Sequence, residues 1–205
     1  MLLSKSKSKQ GGWFSRLGWI AAAVAAIICA FAAPLLRAND LTAFQLIAEG
    51  DKHVGEDAKG KVAEIHSDKS VASLVPKTWF VVYFDPDATF KATQVKFVGG
   101  VKTEVKRPNR LFGMTAEKKS MDRAKIKVDS DKALEIAQKE SVLEKLTLTN
   151  TQFKLEDWKE NPTWRIRLWA AKLRTPAEVV DLGEIFINAE DGKEVNIDLH
   201  INRVE

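Results

Sequence analysis

The chain has 205 residues, with 32 Lys and Arg against 28 Asp and Glu and a single cysteine, Cys29. Five of the basic residues and none of the acids fall in the first 38, so residues 39–205 carry 27 bases against 28 acids. That near-neutral body removes the nucleic-acid reading suggested by the formal charge of +4, and the lack of cysteine after position 29 leaves no disulfide, thiolate nucleophile or thiolate metal site there.

Residues 17–36 are uncharged and follow Lys5, Lys7, Lys9 and Arg16. A basic region before an apolar one predicts a secretory signal, with Ala38 before Asn39 as a cleavage point, or a retained membrane anchor. Either way the positive-inside bias keeps the amino end in the cytoplasm and exports the rest to a periplasmic or other extracytoplasmic space.

A first helix is expected from Asp40 or Thr42, where Thr42 and Gln45 have capping-box spacing, and Gly50 ends it. KVAEIHS, from Lys61, suits a first strand. TWFVVYF, from Thr78, is a second, stopped by Asp85-Pro86-Asp87. Both of its faces are apolar, so the face turned away from the helix needs a cover, and the second half of the chain is the nearest candidate. FKATQVKF, from Phe90, predicts a third strand with an irregularity, Gly99-Gly100 a tight hairpin, and VKTEV a short return strand.

The stretch from Lys102 to Lys127 is basic, and Pro108, Asn109 and Gly113 mark its first half as a linker. As a solvated connector it needs no partner; near a membrane it would attract anionic headgroups.

After it the pattern repeats. Asp129 or Ser130 caps a helix with an Ala133, Ile136, Ala137 stripe. LTLTNTQFKLEDW, from Leu146, reads as a long strand with a bulge near Asn150. TWRIRLWAA alternates strictly, with Trp164, Ile166, Leu168 and Ala170 on one side and Arg165, Arg167 and Trp169 on the other. GEIFINAEDGKEVNIDLHI predicts a hairpin with Asp191-Gly192 in a type I′ turn. The equivalent positions Ala43 and Ala133, Trp79 and Trp164, and Gly100 and Gly192 are offset by 90, 85 and 92 residues, the mark of an internal repeat.

DKALEIAQKE (Asp131–Glu140), PTWRIRL (Pro162–Leu168) and GEIFINAEDGKEV (Gly183–Val195) resemble PepSY-type modules. The first half departs from that pattern: FDPDATF lacks the usual glycine and Gly99-Gly100 replaces the acidic turn. The resemblance implies an α+β fold of two tandem cystatin-like αββββ units, each a helix packed on an antiparallel sheet. The expected organisation is a signal or anchor over 1–38, a divergent first unit over 39–106, a linker over 107–128 and a second unit over 129–205. It also implies a non-enzymatic role: binding or inhibiting a protein or peptide partner such as a peptidase, or assisting at the envelope.

Catalytic signatures are missing from the sequence. No G-x-S-x-G, P-loop or H-E-x-x-H motif occurs. His53 and His66 are too far apart for one zinc-binding element, and His200 falls on the polar side of the last strand. Tyr83 with Asp85 is the best acid–base pair available, and turn chemistry accounts for Asp85, Asp87, Glu190 and Asp191 without calcium. No catalytic, metal or cofactor residue is therefore assigned. Arg165, Arg167 and Trp169 are the candidate partner-binding row, since Arg and Trp are enriched at binding hot spots. The alternatives are a small-molecule binder or weak enzyme with a pocket between helix and sheet, and an envelope scaffold anchored through residues 17–36.

Overall fold

A computed structural model describes residues 41–107 and 120–205. The expected signal or anchor and the first half of the linker lie outside the described residues. The fold is α+β: one eight-stranded antiparallel sheet carries two short helices on one face. No helix among the described residues is long and apolar enough to cross a membrane.

Helix α1 (Ala43–Gly50) opens on the expected capping box, with Thr42 as N-cap and the Gln45 side chain accepting from the Thr42 amide. Strands β1 (Val62–Ser67), β2 (Thr78–Phe84), β3 (Ala92–Val98) and β4 (Val101–Lys106) follow as a meander. Gly99 and Gly100 both take positive φ at the β3–β4 turn, as a type I′ turn requires. Helix α2 (Ser130–Gln138), capped by Asp129, precedes β5 (Leu148–Trp158), β6 (Asn161–Ala171), β7 (Val179–Asn188) and β8 (Glu194–Leu199). The expected bulge near Asn150 is present. The sheet order is β4-β3-β2-β1-β5-β6-β7-β8, so each half contributes a helix and then four strands, and the two first strands meet at the centre.

That central seam is narrow. β1 and β5 share only the pairs Ile65–Leu155 and His66–Lys154. Beyond them, buried hydroxyls take the β5 amides, Phe153 N–H donating to Ser67 Oγ (2.9 Å) and Thr151 N–H to Ser70 Oγ (2.8 Å), and Ser70 N–H donates to Thr151 O (2.8 Å). On the helix side of the sheet, Trp79, Phe153 and Trp164 form an aromatic row across the seam, with ring centroids 5.5 and 6.1 Å apart. The two indoles lie on β2 and β6, the second strand of each half, and each is anchored by its N–H, Trp79 to Pro76 O and Trp164 to Val128 O.

The helices meet at their amino ends. Asp129 Oδ1 accepts from Ser130 N at the start of α2 and from Phe44 N in α1, while Ser130 Oγ accepts from Ala43 N. One carboxylate therefore satisfies orphan amides of two helices and faces the positive end of both dipoles.

Three expectations change. The far face of β2 is not covered by the second half, which instead extends the sheet sideways; Phe80 is shielded by the His66 ring, stacked at 4.9 Å, and by Lys96. The β7–β8 connection is longer than a type I′ turn: only Gly192 has positive φ, and Asn188 bonds to both Gly192 and Lys193. The expected irregularity of β3 is absent on its β2 side and falls on its β4 side, a register shift between Lys96 and Phe97, while Phe90 lies outside the strand and is 41% exposed. In the second half of the expected linker, Met121 is buried and donates its amide to Val62 O, and Lys127 and Val128 donate to Ala189 O.

Where α2 ends, Glu194 of β8 and Glu140 share a site. Partial burial and the neighbouring Glu140 carboxyl push the Glu194 carboxyl from its ordinary 4.5 up to about 7. The folded state thus binds this proton more tightly than the unfolded chain. Its contribution to stability is full below about pH 4.5 and is lost as pH rises through about 7. Glu194→Gln should therefore stabilise at pH 8, by less than about 1 kcal/mol after solvent screening, and change nothing at pH 4, as read from urea midpoints. Asp129→Ala, which removes caps from two helices, should cost about 2 kcal/mol in the same assay, against about 1 for Thr42→Ala.

Candidate functional site: the open face of the sheet

Alternation sends one set of side chains on β1, β5, β6 and β7 away from the helices, even-numbered on β1, β5 and β7 and odd-numbered on β6. No described helix covers that side. Glu64, His66, Gln152, Lys154, Arg165, Arg167 and Glu184 line a polar groove of about 300 Å³ there, running across the seam. The candidate row is in place: Trp164, Ile166, Leu168 and Ala170 are fully buried under the helices, and Arg165, Arg167 and Trp169 point to the open side.

Register puts Lys154 of β5 directly opposite Arg165 of β6. Two cations side by side would repel, and Glu156 resolves the conflict by taking both: Lys154 Nζ lies 2.8 Å from Glu156 Oε2 and Arg165 Nη1 3.2 Å from Glu156 Oε1. Arg165 Nε also reaches Glu184 Oε2 at 2.9 Å, and Lys154 Nζ reaches Glu64 Oε2 at 3.4 Å. His66 Nδ1 lies 2.9 Å from Glu64 Oε1 but without hydrogen-bond geometry. Burial works to lower the Lys154 ammonium, yet the Glu156 bond and the Glu64 charge outweigh it and hold its pKa above the usual lysine value.

Arg167 is held by Asp181, whose Oδ2 accepts from Nε (2.9 Å) and Nη2 (2.5 Å). That bond raises the Arg167 pKa; burial pushes the Asp181 carboxyl upward, but the same guanidinium outweighs it and keeps the carboxyl below its usual range. Half-buried aromatic rings flank the charges, each under a cation: Trp169 beneath Lys69 and Arg167, Phe186 beneath Arg165, and Trp158 beneath Lys159. The face therefore offers fixed donors, fixed acceptors and ring edges in alternation, close to neutral in sum.

The acidic partners Glu64, Glu156, Asp181 and Glu184 were not singled out from the sequence. Period-two alternation in β5 and β7 puts Glu156 and Glu184 on the polar side. Their meeting with Arg165 depends on register, which alternation leaves open.

Tyr83 and Asp85 are not brought into a joint acid–base arrangement. Tyr83 is fully buried and donates to Ile47 O at 2.9 Å; burial, with Asp51 nearby, raises its pKa. A Cβ on Gly50 would come within 2.3 Å of its hydroxyl, so no room remains beside it. Asp85 is buried and accepts from the Thr93 hydroxyl and the Asp87 amide. Burial acts to raise its carboxyl, and these bonds, with Arg107, outweigh that and lower it. His53 and His200 lie near Glu49 and Asp198 respectively, away from His66. Among the described residues no three His, Asp or Glu side chains converge in a way that could hold a metal.

No family model, curated protein or solved structure matches the chain.

Lys154→Met would leave Glu64 and Glu156 beside each other without their shared ammonium. The expected cost is about 2 kcal/mol in urea unfolding, with Lys154→Arg losing much less, because two largely shielded carboxylates lose the cation between them while Glu156 keeps Arg165.

Proposed function

We propose that this chain is an exported, non-catalytic protein of two tandem PepSY-like, cystatin-like αββββ units, which binds a protein or peptide partner of the cell envelope through the open face of its sheet. The observation carrying this reading is the polar groove across the seam, in which Arg165 and Arg167 are held by carboxylates and Trp169 lies alongside. The order helix, four strands, helix, four strands supports the tandem arrangement. Ion-paired arginines and a cation-capped indole are already fixed before a partner arrives, which lowers the ordering cost of binding. The close packing around Tyr83 counts against a small-molecule site built on that hydroxyl. Peptidase inhibition is one form the binding would take.

A pull-down from envelope extract with the tagged full-length protein tests the reading. A specific partner should be recovered and then lost with the double substitution Arg167→Ala, Trp169→Ala. A partner list that this double variant leaves unchanged removes the open face from consideration.

A further inference from the structure

Antiparallel strands leave their connections at two ends of the sheet. At one end lie the β1–β2 loop (68–77), the β3–β4 turn and the β6–β7 loop (172–178), since Val98 pairs with both Val101 and Thr78, Ser67 with Trp79, and Ala171 with Val179. The Ser70 amide, bonded to Thr151 O, brings the start of β5 to the same end. Helix α1 starts there too, where Leu41 shares an apolar hollow with Leu74, Val75 and Pro76.

The tips at this end are apolar and exposed. Val71 is 80% exposed, Val101 67% and Leu173 59%, with Val75, Val98 and Val179 also exposed. At the opposite end the connections 85–91, 159–160 and 189–193 expose one large apolar side chain, Phe90.

Charge in the strand connections divides the same way. In and beside those of the first end stand Lys69, Lys77, Lys102, Lys172 and Arg174, with Asp68 and Glu178 as the acids. Those of the opposite end carry Asp85, Asp87, Glu160, Glu190 and Asp191 against Lys91, Lys159 and Lys193. Lys172 takes Glu178, whereas Lys69, Lys77, Lys102 and Arg174 have no carboxylate within ion-pair distance among the described residues. The acids at the start of α2, Asp129 and Asp131, accept from helix amides.

Exposed apolar tips among unpaired cations suit a bilayer surface. The tips enter the boundary between headgroups and acyl chains, and Lys and Arg meet anionic headgroups. A protein-binding patch would be depleted in lysine instead. The point of chain entry agrees: Leu41 follows the uncharged stretch 17–36 after four residues, a tether of about 17 Å at full extension. A bilayer that held this stretch would have the cationic end of the sheet within reach.

We infer that this end of the sheet docks on a lipid bilayer with anionic headgroups, the tips around Val71, Val101 and Leu173 entering its surface. The strands then stand upright on the membrane, and the open face is left free for a partner. The inference rests on the exported reading for which membrane is met.

Full-length protein in vesicles of phosphatidylcholine and phosphatidylglycerol tests this, with an environment-sensitive dye on one cysteine and a quencher carried by the lipid. In a Cys29→Ser background, dyes on Val71→Cys and Leu173→Cys should be quenched, and a dye on Asp191→Cys at the opposite end should not. Phosphatidylcholine alone, or high salt, should reduce the quenching at 71 and 173. Lys77→Glu should lower the ratio of docked to free tips about fivefold, and adding Arg174→Glu should lower it further. A dye on the natural Cys29 reports separately whether 17–36 enters the bilayer, so failure of the leader reading is seen apart from failure of docking. Quenching at 71 and 173 no greater than at 191, whatever Cys29 reports, would overturn the inference. So would quenching there that is indifferent to the charge of lipid and protein.

Discussion

Everything characteristic of this protein depends on two strands that barely pair. β1 and β5 share two ladder positions, after which the Ser67 and Ser70 hydroxyls take β5 amides and a single further backbone bond, Ser70 N–H to Thr151 O, joins the two segments. A buried amide without an acceptor costs about 1–3 kcal/mol, so these serines are structural in the strict sense. Because the seam closes, eight strands form one sheet. The aromatic row of Trp79, Phe153 and Trp164 then bridges the halves on one side, and the charge network bridges them on the other.

The same seam brings the two helix starts together under Asp129. A carboxylate at one helix amino end is favourable; one serving two helices also fixes their mutual approach, since its oxygen must reach Phe44 N and Ser130 N at once. Junctions of this kind relate elements 85 residues apart through a single side chain. They tie the two halves into one compact unit.

On the open face, the governing feature is neutralisation. Lys154, Arg165 and Arg167 would repel one another across β5 and β6, and Glu64, Glu156, Glu184 and Asp181 interleave with them. The surface thus presents oriented donors and acceptors with little net charge; under the proposed binding role, discrimination would come from matching that pattern and long-range attraction would contribute little.

The sequence by itself determined most of the local structure. Capping residues at Thr42 and Asp129 placed both helices, Gly99-Gly100 placed one hairpin, and strict alternation in β6 divided Trp164, Ile166, Leu168 and Ala170 from Arg165, Arg167 and Trp169. Each of these signals acts within a few residues, where backbone sterics and side-chain period decide the outcome. Tertiary structure alone decided the rest: that the second half would lengthen the sheet instead of covering β2, that Glu156 would stand between Lys154 and Arg165, and that Asp191-Gly192 would belong to a wider loop. Strand neighbours and register are set by packing and hydrogen bonds between distant segments, and a period of two is satisfied equally well by many registers. The pattern fixed which side each residue faces, and only the closed seam fixed what it meets there.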